Sequence, residues 1–170
     1  MEVKKNHAVT DRIATLCRKA AAQGAVLLKN EDAVLPLTLK DHVAVFGRCQ
    51  KDYYRSGTGS GGAVNVLYTT NLLDGLKNNH ITINDMLVNC YESWLAEHPF
   101  DNGGGGWACE PWCQLEMPVS QALAANAATT SNKAIVVIGR TAGEDKDNVT
   151  AEGSYFLTST EKEMLHSVCE

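Results

Sequence analysis

The chain has 170 residues, of which 44% are apolar and 21% charged, and its net charge at pH 7 is −5. This apolar fraction suffices for one domain with a core, whereas the acidic balance argues against a nucleic-acid-binding protein, which needs a basic face. No apolar run approaches the roughly 18 residues of a membrane span. The N-terminal residues MEVKKNH lack the apolar core of a secretory signal, so we expect a cytoplasmic chain and leave the location of any longer parent protein open.

The first half of the chain alternates helix and strand signals. Apolar residues at spacings of three and four predict a helix over residues 10–30, with Cys17 on its apolar side. The run HVAVF at residues 42–46 predicts a buried strand that ends at Gly47. A polar loop, a helix and a short strand are then predicted at residues 48–62, within residues 65–79 and at residues 81–83. This alternation is typical of an α/β protein.

The second half continues the alternation after an irregular segment. A helix is predicted over residues 85–98, with Cys90 in its apolar run, and a second, alanine-rich helix over residues 120–128. Between them, residues 100–118 contain four consecutive glycines, which disfavour regular structure. The run AIVVI at residues 134–138 predicts a strand buried on both faces, and a last helix opens at Ser159.

The order β-α-β-α-α-β-α predicts a parallel, doubly wound sheet flanked by helices. Three strands are few for such a sheet, and the last helix has no following strand. We therefore expect one domain over residues 1–170 that is itself part of a larger one.

The loop after the third predicted strand holds the most promising carboxylates. Glu144, Asp145, Asp147 and Glu152 follow within 13 residues of Gly139. Ligands of open α/β sheets bind beyond the carboxyl ends of the strands, so this loop is a candidate site for binding or catalysis. A solvated acidic loop without function is the alternative.

The glycine-rich sequence GTGSGG at residues 57–62 follows a strand and precedes a helix, as in dinucleotide-binding proteins. The strand, however, ends at Gly47, so the tight strand-glycine-helix turn is missing, and no GK[ST] sequence forms a P-loop. These glycines more plausibly allow close backbone packing and present Tyr53, Tyr54 and Arg55. Nucleophilic catalysis by serine is unsupported, because no GxSxG sequence is present.

Six cysteines leave the redox state open. Reduced thiols are favoured, because the chain does not resemble a small disulfide-stapled domain. Cys109 and Cys113 form the closest pair, so one disulfide remains an alternative, whereas a zinc site would need further ligands at matching spacing. We expect no metal and no cofactor. Trp107 and Trp112 lie in the same glycine-rich segment, where aromatic faces suit either sugar rings or ordinary packing.

Three blocks together carry a family resemblance. They are LLKNEDAVLPL at residues 27–37, VAVFGR at 43–48 with SGTGSGGAVN at 56–65, and AIVVIGRTAGEDKDN at 134–148 with EGSYFL at 152–157. In this order and spacing they closely resemble the second domain of family-three glycoside hydrolases, the β-glucosidase group. The resemblance extends over residues 14–170.

The resemblance implies an (α/β)6 sandwich, flavodoxin-like or Rossmann-like in its layers, that follows a (β/α)8 barrel absent from this chain. The active site lies between the two domains, and the barrel supplies the nucleophilic Asp. The family pattern GExxD matches residues 143–147, so Glu144 corresponds to the acid/base. Asp145 and Asp147, and less directly Tyr53, Tyr54 and Arg55, would then border the substrate.

Two departures from the family pattern affect the leaving-group pocket. Where relatives often have an aromatic residue and an arginine in the GExxDR run, this sequence has Asp145 and Asn148.

The resemblance still predicts part of a retaining β-glucosidase that acts on a carbohydrate, without nucleic-acid or membrane partners. We expect the isolated chain to be inactive, with an exposed sheet surface that favours self-association. The alternatives are a non-catalytic carbohydrate-binding or interaction module and a flavodoxin-like nucleotide binder.

Overall fold

The computed structural model describes residues 7–54, 57–62 and 68–170. The chain divides into two compact units, Met1–Leu37 and Thr38–Glu170. In the first unit, helix α1 is His7–Gly24, six residues shorter at its C-terminal end than predicted. The apolar residues Ile13 and Leu16 are 55% and 65% exposed, and Cys17 is exposed as well. The predicted inward face is therefore wrong for this unit, because residues 11–24 meet no core within it.

The second unit is built on a parallel sheet. Strands β1 (His42–Phe46), β2 (Thr82–Ile83) and β3 (Lys133–Val136) lie in the order β2-β1-β3. Both pairings of β1 are parallel, which confirms the predicted sheet. β1 matches its prediction residue for residue and is buried from Val43 onward.

In the described part of the second unit, four α-helices accompany the sheet: α2 (Leu72–Asn78), α3 (Asp85–Glu97), α4 (Gln121–Ala128) and α5 (Ser159–Cys169). Each begins after a side chain that accepts a backbone N–H of the first turn, the usual N-cap arrangement. The capping residues are Asn71, Asn84, Ser120 and Thr158. No described helix is both long and apolar enough to cross a bilayer.

One core joins the sheet to the helices. Phe46 of β1 packs with Leu87 and Tyr91 of α3 and with Met164 of α5, all at most 2% exposed. The irregular segment before α4 contributes Met117. The core therefore fixes the carboxyl end of β1, from which a candidate site loop leaves.

Some element predictions are corrected by the structure. The strand predicted at residues 134–138 is Lys133–Val136, and Ala134 is exposed, because β3 is an edge strand of the sheet that the described residues form. The helix predicted within residues 65–79 begins only at Leu72, and residues 63–67 lie outside the described part. Cys90, expected in the core, is half-buried, and all six cysteines are free thiols.

The strand order positions the candidate site. β1 is central, and the chain passes from it to β2 on one side and later to β3 on the other. The loops after β1 and β3 thus start from neighbouring strands, where the backbone N–H of Val137 donates to the carbonyl of Phe46 at 2.9 Å. Such a reversal of strand order is where open α/β sheets bind ligands.

Candidate active site

Glu144 lies at the tip of a tight turn in the loop after β3. Gly143 and Lys146 close the turn with two reciprocal backbone hydrogen bonds of 3.1 Å. Glu144 and Asp145 are its two central residues, and Asp145 has φ 59°, a left-handed value that few residues other than glycine, asparagine and aspartate adopt readily. The loop thus presents two adjacent carboxylates, both exposed.

The glycine-rich loop after β1 packs directly against this turn. The backbone N–H of Thr58 donates to the carbonyl of Ala142 at 3.2 Å, and Thr58 bridges Gly143. A Cβ at Gly57 would lie 2.4 Å from the Ala142 carbonyl oxygen. Gly57 is therefore required here for the close approach of two backbones, which is the role that the sequence favoured over phosphate binding.

Ser60 in the same loop holds the carboxylate of Glu144. Oε2 of Glu144 accepts hydrogen bonds from the backbone N–H of Ser60 at 2.9 Å and from its hydroxyl at 2.7 Å. These donors stabilise the charged form, the backbone N–H more than the hydroxyl, and they hold the pKa of Glu144 below its ordinary value. Because Glu144 is exposed and its pKa is lowered, it is a base rather than an acid at neutral pH.

Two tryptophans from the irregular segment contact the other residues of the turn. The indole N–H of Trp107 donates to Oδ2 of Asp145 at 2.7 Å, and that of Trp112 donates to the backbone carbonyl of Asp147 at 3.1 Å. Asp145, predicted to bind substrate, thus has one carboxylate oxygen engaged by the protein. The carboxylate of Asp147 is exposed, so its predicted role is sterically possible.

A buried ion pair ties the beginning of the loop to α5. Arg140 makes a bidentate contact with Glu161, with two N···O distances of 2.6 Å, and Glu161 is 3% exposed. Burial alone would raise the pKa of Glu161, but hydrogen bonds and the charge of Arg140, together with the Thr158 N–H, lower it overall. Arg140 also donates to the backbone carbonyls of Ser154 and Phe156, so one side chain spans the loop.

Tyr53 and Tyr54 line a cleft of about 430 Å³ beside the turn. Thr141, three residues before Glu144, lines the same cleft, whereas Glu144 is not among its described lining residues. Tyr54 makes an edge-to-face contact with Phe100 at 5.6 Å, and burial raises its pKa to about 12. Tyr53 is 53% exposed. Arg55, predicted with them, lies outside the described residues.

The sequence reasoning missed Ser60, Arg140 and the tryptophan contacts. Ser60 lies in a motif that was singled out for its glycines, and Arg140 follows the glycine that ends a predicted strand, so both positions carried a signal. The hydrogen bonds from Trp107 and Trp112 join residues 38 and 35 positions apart, which spacing alone does not reveal. Among residues 7–54, 57–62 and 68–170, no three His, Cys, Asp or Glu side chains form a group able to hold a metal ion.

Comparison with known families decides the classification of this fold and site. Residues 25–170 match the glycosyl hydrolase family 3 C-terminal domain. The chain belongs to this family. The predicted resemblance and the predicted α/β sandwich are thereby confirmed.

The relatives of this family-3 domain are β-glucosidases. One from Ruminococcus albus is 51% identical over 147 residues, which are 86% of this chain and 15% of that protein. β-Glucosidase A of Butyrivibrio fibrisolvens is 32% identical over 89% of the chain and 20% of its own length. The chain therefore spans about a fifth or less of these curated relatives.

Solved structures show the same relationship. The structure of a β-glucosidase from Paenibacillus barengoltzii matches with a TM-score of 0.87 and 63% identity, over 89% of this chain and 16% of that one. β-Glucosidase 3B from Thermotoga neapolitana, solved in complex with α-D-glucose, matches with a TM-score of 0.79 and 26% identity, over 93% and 22% of the two chains. The second unit thus has the fold of a segment of these enzymes.

Proposed function

We propose that this chain supplies the general acid/base, Glu144, of a retaining glycosidase that hydrolyses β-glucosides or related terminal glycosides. The observation that carries the proposal is the position of Glu144 at the tip of a turn at the sheet's switch point, in a chain that belongs to a β-glucosidase family. The nucleophilic carboxylate would come from a barrel domain that these 170 residues do not contain.

The proposed reaction needs two carboxyl groups about 5–5.5 Å apart. The partner carboxylate attacks the anomeric carbon while protonated Glu144 gives its proton to the leaving glycosidic oxygen. Glu144, now ionised, then takes a proton from water, and the water oxygen displaces the carboxylate from the anomeric carbon. The proton that Glu144 lost is thereby restored, and the configuration is retained.

The lowered pKa of Glu144 supports a mechanism in which a second domain is needed to make this residue an acid. Glu144 is exposed and its pKa is lowered by Ser60, whereas a general acid must hold its proton near neutral pH. A second carboxylate and the desolvation that a covering domain brings both raise the pKa of a carboxyl group. We therefore propose that docking of the barrel converts Glu144 into an acid, and that the isolated chain has no measurable glycosidase activity.

The leaving group is proposed to lie near the loop after β1. The cleft beside the turn is lined by aromatic and polar side chains, Tyr53, Tyr54, Asn102 and Glu110 among them, which is the mixture that binds a sugar or an aryl group. We propose that Asp145 and Asp147 border this subsite, and the same prediction for Arg55 falls outside the described residues.

The test of the acid/base role uses the longer polypeptide that carries this chain. Glu144→Gln should lower kcat/KM for an alkyl β-glucoside by about 10²–10⁴-fold, since its leaving oxygen needs a proton. The first step of 2,4-dinitrophenyl β-glucoside cleavage, which needs none, should change little. Glu152→Gln removes another exposed carboxylate of the same loop and serves as the control. Equal losses for both substrates in Glu144→Gln would reject the acid role.

The exposed edge of β3 supports a second proposal, that the isolated chain self-associates through its sheet. Ala134 on this strand is exposed, and uncovered apolar surfaces commonly associate. Sedimentation of the isolated chain should show dimers or larger species at high concentration. A strictly monomeric chain would contradict this.

A carbohydrate-binding role without catalysis is the second candidate. Trp107 is 56% exposed on a glycine-rich segment, and exposed aromatic faces can stack on sugar rings. Calorimetry with glucose and cellobiose should then show saturable binding by the isolated chain that Trp107→Ala abolishes and Glu144→Gln preserves. Absence of binding would favour the catalytic proposal.

A further inference from the structure

The segment of residues 103–112, here called the Gly-Trp segment, contacts three consecutive residues that lie in the turn carrying Glu144 and directly after it. Trp107 donates its indole N–H to the carboxylate of Asp145 at 2.7 Å. Lys146 donates to the carbonyl of Ala108 at 3.4 Å. Trp112 donates to the carbonyl of Asp147 at 3.1 Å. These contacts begin immediately after Glu144 in the chain.

The contact with Asp145 acts at the left-handed position of the turn. Asp145 has φ 59°, and the third residue of such a turn is normally glycine or asparagine. Aspartate is one of the few residues other than glycine that adopt this conformation, and a hydrogen bond to its side chain helps to hold it there. The hydrogen bond from Trp107 is charge-assisted and short, which makes it the stronger kind. Because Asp145 follows Glu144 directly, its backbone conformation sets the direction in which Glu144 leaves the turn.

The ring of Trp112 adds a second restraint. The ammonium group of Lys146 lies 5.1 Å from the centre of this ring, within the range of a cation–π contact. Trp112 therefore contacts the turn with both its face and its N–H group. Lys146 in turn closes the backbone hydrogen bonds with Gly143, so this restraint acts on the C-terminal side of the turn.

The Gly-Trp segment has a defined shape of its own. Gly103 has φ 63°, and a Cβ at this position would lie 2.1 Å from the carbonyl oxygen of Cys109. The chain therefore folds back on itself here as only glycine allows. Asn102 and Asp101 accept the N–H groups of Gly104 and Gly103 at 3.0 and 2.8 Å. The tryptophans are thus presented by an ordered support.

We propose that Trp107 and Trp112 are positioning residues for the acid/base: their contacts with Asp145, Lys146 and Asp147 hold the turn so that Glu144 reaches the leaving oxygen. The inference rests on the proposed function of Glu144. Ser60 holds the carboxylate itself, and the Gly-Trp segment holds the backbone from which it projects. Thr58 holds the N-terminal side of the turn through Ala142 and Gly143, so the contacts of the Gly-Trp segment complete the support on its C-terminal side.

The experiment compares Trp107→Phe and Trp112→Phe in the longer polypeptide that carries this chain. Each variant keeps an aromatic ring and removes one N–H donor. We expect kcat/KM for an alkyl β-glucoside to fall about 10-fold to 100-fold, as a misplacement of about 1 Å produces. The value for 2,4-dinitrophenyl β-glucoside, which leaves without a proton, should stay within about threefold, and the basic limb of the alkyl-glucoside pH profile should shift. Tyr155→Phe alters an exposed ring on the same loop and should leave both substrates unchanged.

Three results would overturn the proposal. Equal losses for both substrates together with a lower melting temperature would make the tryptophans merely structural. Unchanged kinetics for both substrates would remove any role. An unchanged kcat/KM for the alkyl β-glucoside in Trp107→Ala would also remove any role of Trp107, because alanine offers no N–H donor to Asp145.

A measurement on the isolated chain separates this inference from the function on which it rests. Trp107→Phe should raise amide hydrogen exchange at Gly143 and Lys146, whose N–H groups close the turn, at least fivefold and leave the amides of β1 unchanged. If Glu144→Gln shows no leaving-group dependence in the longer polypeptide, the proposed function fails. If the loss of kcat/KM depends on the leaving group in Glu144→Gln but not in the tryptophan variants, only the positioning role fails. Unchanged exchange in the isolated chain would likewise contradict the positioning role.

Discussion

Gly59→Ala adds one carbon atom where the glycine-rich loop after β1 contacts Glu144 in the loop after β3. Gly59 has φ 82°, and a Cβ there would lie 2.4 Å from Cβ of Glu144 and 2.8 Å from its Oε2. Ordinary van der Waals contact begins at 3.4 Å, so the side chain of Glu144 must retreat by about 1 Å. Hydrogen bonds of 2.7 and 2.9 Å from Ser60 to Oε2 cannot both survive such a shift.

The expected consequences differ for stability and activity. An alanine in the left-handed region costs about 1–2 kcal/mol, which at roughly 4 °C per kcal/mol lowers the melting temperature by several degrees. A displacement of about 1 Å in a catalytic group costs about 10²-fold in rate. We therefore expect a modest loss of stability in the isolated chain and a large loss of kcat/KM for alkyl β-glucosides in the longer polypeptide.

Gly61→Ala is the matched control in the same loop. A Cβ at Gly61 meets no atom within 4 Å, and its φ is not positive, so alanine should be neutral or stabilise by about 0.4–1 kcal/mol. Thermal unfolding followed by circular dichroism and kinetics with both leaving groups measure the pair. Identical behaviour of Gly59→Ala and Gly61→Ala would refute the reasoning, because only Gly59 faces Glu144.

Three further predictions concern the supports of the site. Ser60→Ala should raise the pKa of Glu144 towards its ordinary 4.5, because the hydroxyl donor is lost while the backbone N–H remains; a ¹³C NMR titration that shows no change would contradict this. Glu161→Gln should destabilise the chain by about 3 kcal/mol, because Arg140 loses its buried partner. The pKa of Glu161 in the folded chain lies below its ordinary 4.5. The ion pair therefore contributes fully to the free energy of unfolding above pH 4.5, and this contribution is lost as the pH falls through the folded-state pKa. Urea titrations from pH 7 to pH 3 should show this loss of stability in the native sequence and a smaller loss in Glu161→Gln. Tyr91→Phe should cost about 1–3 kcal/mol, since its hydroxyl accepts a buried backbone N–H at 2.7 Å, and a change below about 0.5 kcal/mol would contradict that accounting.

The regular part of the fold followed from local patterns. The apolar run at residues 42–46 predicts β1 residue for residue, and the helices predicted from residue 120 and from Ser159 match the starts of α4 and α5 within one residue. The inward face predicted for α1 was wrong, because periodicity reports an apolar stripe and not whether a core meets it. The exposure of Ala134 has a similar cause, since a strand sequence does not tell whether the strand lies at an edge.

The candidate site was predictable in identity and not in geometry. Glu144 follows from a strand, a glycine and a family pattern, all of which are local in sequence. Its partner Ser60 is 84 positions away, and the donor to Asp145, Trp107, is 38 positions away. Contacts of this kind arise from the parallel crossover that brings the loops of β1 and β3 together, so they require the fold.

The configuration of an azide product tests the central claim most directly. In Glu144→Gln of the longer polypeptide, 2,4-dinitrophenyl β-glucoside should still form the glycosyl–carboxylate intermediate, because its leaving group needs no proton. Azide should then displace the carboxylate from the face that Glu144 normally serves and give β-glucosyl azide, identified by its anomeric ¹H coupling, with restored turnover. Formation of the α-azide, or no azide product and no rescue, would contradict the assignment of Glu144 as the acid/base.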